Sequence, residues 1–362
     1  MHKGIGKGIH YALLAAVLFG ASTPLAKLLL EHTAPVALAA LLYLGSGIGL
    51  LLCFAVRARR QRRQRHQRHR ADRPAGLARS DLPWLGGAIA SGGVAGPVLL
   101  LYGLAVTPAS SAALLLNMEG VLTALLAWFV FRESFDRRLF AGMVLIVVAG
   151  VLLSWQQTPA AGGAGVPWGA LAIVGACLCW GIDNNLTRKV AASDALQIAC
   201  VKGLVAGSVN LALAWVLGAH LPTVSLALAA GVVGFAGYGL SLVLFVLALR
   251  HLGTARTGAY FSAAPFVGAL IALALGDAPA ALFWPAAALM AAGIWLHVTE
   301  SHGHAHTHEP LLHGHPHRHD AHHQHQHDFE WNGEEPHVHP HQHAPLTHSH
   351  AHYPDIHHRH SH

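Results

Sequence analysis

Residues 203–249 read GLVAGSVNLALAWVLGAHLPTVSLALAAGVVGFAGYGLSLVLFVLAL, forty-seven consecutive positions without Asp, Glu, Lys or Arg. A helix needs about 20 mostly apolar residues to cross the hydrocarbon core of a bilayer. The stretch holds two such lengths, separated by turn residues at His220-Leu221-Pro222. It is too long, too rich in Ala and Leu and too poor in polar alternation to be strand. A second uncharged run, Leu139 to Ile182, says the same. Of the 362 residues, 53% are hydrophobic and 11% charged, against about 25% charged in a soluble domain. An ordinary soluble enzyme, a collagen-like chain and a wholly disordered chain are excluded.

Working outward, ten segments qualify as spans: 9–31, 34–56, 83–105, 109–131, 138–155, 167–187, 195–218, 226–249, 256–276 and 280–298. Lys3 and Lys7 ahead of an apolar run ending near Gly20-Ala21-Ser22 resemble a cleaved signal. Apolar character resumes at Leu25 and Leu28, so the segment is read as a span. Starting with the N-terminus inside, the inner connections collect nineteen Lys and Arg and the outer ones none. The positive-inside rule therefore places both termini in the cytoplasm, in a bacterial-type inner (plasma) membrane. Ten of those Arg lie between Arg57 and Arg79. The loop 57–80 sits between two spans, so it is read as a cytoplasmic loop against anionic lipid and not as a nucleic-acid site. Cys53, Cys177, Cys179 and Cys200 lie inside apolar stretches and read as packing residues.

The two halves carry matching markers. Phe19-Gly20 followed by Lys27 matches Trp180-Gly181 followed by Arg188, at an offset of 161. Leu101-Tyr102-Gly103-Leu104-Ala105 matches Leu244-Phe245-Val246-Leu247-Ala248. Five spans is an odd number, so the second half enters from the opposite side, giving an inverted repeat of the kind many secondary transporters build around a midplane site. The expected fold is all-α and polytopic, with ten transmembrane helices as two inverted five-helix repeats. The first repeat covers 1–155, an external linker 156–166, the second repeat 167–298, and a disordered His-rich cytoplasmic tail 299–362.

The stretch Leu125-Leu126-Ala127-Trp128-Phe129-Val130-Phe131-Arg132-Glu133, followed by Gly142 and Gly150, and its echo in Ala264-Pro265, Gly276-Asp277 and Gly293 resemble the EamA-type branch of the drug/metabolite transporter superfamily. The resemblance covers about residues 9–298. It implies an exporter-like fold with a central cavity and both termini cytoplasmic. Gly120-Val121 stands where the family commonly has a proline, and Asp277 replaces the usual Glu.

An ionisable side chain at membrane depth costs at least about 2.5–3.5 kcal/mol and defaults to a functional reading. Glu119 is the only charged residue between Leu82 and Phe131. Low dielectric favours the neutral form of a carboxyl group, which equips Glu119 to exchange a proton or capture a cationic group; Asn117 lies beside it. Asp183, Asn184 and Asn185 cannot share one helix face, so local unwinding or a polar cavity is expected there, with Lys202 as the ion-pair partner of Asp183. Lys27 and Glu31 are expected to pair locally. Tyr102 and Tyr260 complete the expected substrate and proton pathway. No nucleophile–base pair, phosphate loop or metal-hydrolase motif appears, so an enzyme is not expected.

The chain has 31 His, and 23 of them fall between His302 and His362. The pattern is His-x-His: His302, His304, His306, His308; His313, His315, His317, His319; His337, His339, His341, His343; then His348, His350 and His352. Prolines forbid a long helix there. Alternate imidazoles on one side of an extended chain suit Zn, Ni, Co and Cu. No cofactor is required; a divalent transition metal at the tail is the one candidate. Expected partners are a small-molecule substrate and the bilayer, a homodimer is left open, and nucleic acid is not expected. Three functions compete: organic export by alternating access, possibly proton-coupled; transition-metal transport with the tail gathering ions; and a membrane-anchored metal buffer or sensor.

Overall fold

The computed structural model describes residues 2–63, 79–131, 137–155, 167–187, 194–252, 260–279, 281–298, 303–308, 312–317, 337–342 and 346–351, with the single residues 77, 190 and 257. Most of the Arg-rich loop and the whole linker 156–166 lie outside these residues. Two compact units are present, Met1–Glu300 and Ser301–His362.

The described residues of the first unit form helices joined by short turns, with no strand among them. Seven helices are long and apolar enough to cross a membrane: Lys7–Leu30, Pro35–Arg57, Arg79–Val106, Ala109–Leu126, Trp168–Thr187, Leu196–Val216 and Val224–Ala248. Three shorter apolar helices, Phe140–Trp155, Ala264–Ala274 and Phe283–Leu296, stand at the expected fifth, ninth and tenth spans. The buried face mixes small side chains such as Ala12, Ala15, Ala37 and Ala40 with large ones such as Leu38, Leu42, Leu100 and Leu104, while Trp215, Val224, Val106 and Phe129 are at least 71% exposed. Large apolar groups facing outward are at home in lipid, and the small ones inside permit the close backbone approach that helix association there relies on. Gly47 and Gly203 make one such approach: a Cβ on Gly203 would stand 2.7 Å from the Gly47 nitrogen.

In chain order the helices are α1 (His2–Leu30), α2 (Pro35–Arg63), α3 (Leu82–Ala88), α4 (Gly96–Val106), α5 (Ala109–Leu115), α6 (Met118–Phe131) and α7 (Arg137–Trp155). The second half supplies α8 (Trp168–Thr187), α9 (Ala195–Val216), α10 (Val224–Gly234), α11 (Ser241–Leu252), α12 (Ala264–Ala274) and α13 (Phe283–Val298). Their packing exchanges the first helix of each half. Helix α1 packs against α11 and α12; α8 packs against α4 and α6. Helix α2 runs along α9, and α7 along α13. Phe19 and Trp180, the matching markers of the two halves, meet edge to face at 6.4 Å.

Two kinds of irregularity recur at corresponding spans of the two halves. The third and eighth spans each contain a π-helical segment, Ile89–Ala95 and Phe235–Leu240. Both are glycine-rich, where the backbone has least reason to hold the tighter winding. The fourth and ninth spans each break, at Leu116-Asn117 and at Ser262-Ala263. Pro265 at the start of α12 explains the second break, since proline has no N–H and crowds the preceding turn.

In the second unit the described residues form two antiparallel ladders. Strands β1 (Gly303–His308) and β4 (Leu346–Ala351) pair antiparallel, as do β2 (Leu312–His317) and β3 (His337–Gln342). The His-x-His alternation is a period of two, which is the period of a strand.

Candidate functional site

The break in the fourth span sets Glu119. The Asn117 side-chain amide donates to the Leu114 carbonyl at 3.0 Å, tying off the end of α5. Glu119 then falls in the first turn of α6, where the helix dipole favours a carboxylate. Asn184 Nδ2 donates to Glu119 Oε1 at 2.9 Å and lies 3.5 Å from Thr123 Oγ1. A Cβ placed on the next residue, Gly120, would meet nothing within 4 Å.

Asp183, Asn184 and Asn185 do not unwind α8, which stays helical from Trp168 to Thr187. The expected unwinding is unnecessary because each side chain finds a different partner around the helix. Lys202 on α9 donates to both Asp183 oxygens, at 2.6 and 2.7 Å, and reaches Thr187 Oγ1 at 3.3 Å. Asn185 donates to the carbonyls of Gly181 at 2.8 Å and Thr123 at 3.4 Å. Asp183 is buried, and its Cγ would stand 2.5 Å from a Cβ on Gly92. The π segment must therefore offer bare backbone to admit the ion pair.

That segment's carbonyls are satisfied from outside. Gly92 O accepts Tyr43 Oη–H and Trp180 Nε1–H, both at 2.9 Å, and Gly93 O accepts Asn210 Nδ2–H at 3.0 Å. A buried carbonyl released from the helical ladder must find a donor, and three helices supply one. Tyr43 continues into an aromatic row: its ring lies 5.4 Å from Tyr238, Tyr238 lies 6.2 Å from Phe19, and Phe19 lies 5.6 Å from Phe261.

At the Leu30 end of the bundle a second arrangement holds the α4–α5 turn. Lys27 does not close on Glu31; its ammonium donates to the carbonyls of Leu104 at 2.6 Å and Ala105 at 3.0 Å. The unpaired carbonyls ending α4 are a stronger attraction than an exposed local carboxylate. Asp277, at the end of the ninth span, accepts from the Ser110 backbone N–H of α5 at 2.7 Å. A cation thus caps the C-terminus of α4 and an anion the N-terminus of α5, from opposite halves of the chain.

Of the residues singled out from sequence, Glu119, Asp183, Asn184, Asn185 and Lys202 fall on α6, α8 and α9 around one polar region, while Asn117 lies in the break before α6 with its amide on the Leu114 carbonyl and 3.5 Å from Met290 Sδ. Tyr102 is half exposed on α4, away from it. Tyr260 precedes the break in the ninth span, its carbonyl accepting from the Ala263 N–H. Thr123, Tyr43, Gly92 and the Lys27–Asp277 clasp carried no sequence signal of their own. His302, His319 and His343 lie outside the described residues. Among the described residues of the helical unit, no group of three or more His, Cys, Asp or Glu could hold a metal ion.

Residues 6–155 and 167–299 each match the sequence model of the EamA-like transporter family. An uncharacterized transporter of Methanothermobacter thermautotrophicus is 30% identical over 266 residues, covering 72% of this chain and 76% of that protein. A solved crystal structure aligns with a TM-score of 0.56 at 19% identity, over 79% of this chain and 95% of its own; at that identity it speaks for the fold alone.

Proposed function

The chain belongs to the EamA-like transporter family, and from that premise we propose that it exports a small organic metabolite, amino acid or drug by alternating access, with Glu119 exchanging a proton. The observation that carries the proposal is the unequal treatment of two neighbouring carboxylates. Asp183 is neutralised by a dedicated lysine, while Glu119 meets only a neutral donor, the amide of Asn184, among the described residues. A carboxyl group in that position is free to take up a proton or a cationic substrate group. Paired π segments in the third and eighth spans and paired breaks in the fourth and ninth supply deformable places in both halves.

In this reading ten spans cross a bacterial-type inner membrane, with both termini cytoplasmic and anionic lipid at the Arg-rich loop. The excess of Lys and Arg on one side supports that direction. Transition-metal transport is the weaker reading, because the described helical residues offer no metal-ligand cluster.

Proteoliposome uptake of amino acids, cationic drugs and Ni, Co and Zn under an imposed pH gradient tests it. Glu119→Gln is expected to abolish the response to the gradient while leaving the protein folded. Gradient-driven transport by that variant at the parent rate would remove Glu119 from the role.

A further inference from the structure

We propose that the tail binds transition-metal ions at two cross-strand histidine sites fixed by strand register, one in each antiparallel ladder. In β1–β4, His304 stands opposite His350 and His306 opposite His348. In β2–β3, His313 stands opposite His341, His315 opposite His339 and His317 opposite His337. Every histidine of β2 therefore faces a histidine, as do two of the three in β1, the exception being His308 opposite Leu346. Both ladders also share one register: three residues on each strand separate the His308–Leu346 rung from the Leu312–Gln342 rung.

This placement goes beyond what composition supplies. Residues two apart on a strand lie on one face, and directly opposed residues have Cα atoms about 4.5–5.5 Å apart. Two adjacent opposed pairs thus bring four imidazole-bearing positions onto one face within a few ångströms. Zinc in structural sites takes four ligands tetrahedrally, with imidazole among its preferred donors, and Co and Ni accept the same donor. The outer ladder has two opposed pairs and room for one ion. The inner ladder has three, which share their middle pair and so also hold one tightly. The expected capacity is two tight ions. A two-stranded ladder is marginal by itself in water, so the ion is also what makes each pairing persist, binding being coupled to folding. Metal capture of this kind is independent of what crosses the bilayer.

The test permutes histidines without changing composition. In the full-length protein in detergent, Zn binding is measured by calorimetry, and Co is substituted to report tetrahedral coordination by its visible absorption. The parent is expected to bind two Zn tightly. The fourfold variant His348→Ser, Ser349→His, His350→Ala, Ala351→His moves the β4 histidines to the other face and is expected to bind one. The sixfold variant His337→Val, Val338→His, His339→Pro, Pro340→His, His341→Gln, Gln342→His does the same to the inner ladder and is likewise expected to bind one, while combining the two sets is expected to restore two, because a one-residue slip then opposes every pair again. Two tight ions at parent affinity in both the fourfold and the sixfold variant would mean that a histidine-rich composition binds metal without regard to register, and would overturn the proposal. A parent that binds no ion tightly would overturn it equally.

Discussion

Replacing Lys202 by Met tests how the helical unit tolerates Asp183. The side chains of Lys202 and Asp183 are only 13% and 10% exposed, and their two contacts of 2.6 and 2.7 Å are short, charge-assisted bonds. Without the ammonium, Asp183 keeps only the Thr187 hydroxyl, at 2.8 Å. Leaving one partner of a buried pair uncompensated costs about 3–5 kcal/mol. The loss for Lys202→Met is therefore about 3–5 kcal/mol at pH 7. Asp183→Asn combined with Lys202→Met strands no charge and should cost about 1 kcal/mol, giving a coupling of at least about 2 kcal/mol. Urea titration in detergent micelles, followed by tryptophan fluorescence, reads these differences. A Lys202→Met variant within about 0.5 kcal/mol of the parent at pH 7, or a double variant less stable than either single one, would refute this account of the pair.

Lys27→Met and Asp277→Asn should each free the α4–α5 turn, a loss of about 1.5–3 kcal/mol for a bond to a charged group; in a cysteine-free background, Ser111→Cys should then label faster with a membrane-impermeant reagent. Gly92→Ala should drive a methyl group into the Asp183 carboxylate and cost about 1–3 kcal/mol, measurable as a lower midpoint in the same urea titration. Trp180→Phe or Tyr43→Phe alone leaves Gly92 O with one donor and should cost about 1 kcal/mol. Both together leave that carbonyl bare, so their combined loss should exceed the sum of the singles.

The membrane class was legible in the sequence because a run of forty-seven uncharged residues is at home in lipid and hardly anywhere else. Phe19-Gly20 and Trp180-Gly181 marked the repeat, and those rings do meet. The Asp183–Lys202 pair followed from the cost of either charge alone. The π segments were not legible, because glycine-rich spans give no hydrophobic period to lose. The break before Glu119 was hidden too: no proline marks it, and Asn117 does its work through a side-chain bond. The partner of Lys27 was misjudged because Glu31 is near in sequence while the α4 carbonyls are 77 residues away. In the tail, strand pairing depends on register between segments, which the count of histidines does not contain.

The exchange of first helices constrains biosynthesis. While the ribosome is still making the second half, α1 is already inserted but α11 and α12 do not yet exist, and its Gly20 face waits for the backbone of Ala264 and Gly268. The first half cannot mature before the second arrives; a nascent chain stalled after Trp155 would hold an unclaimed groove in the lipid, and a quality-control protease would find its substrate there.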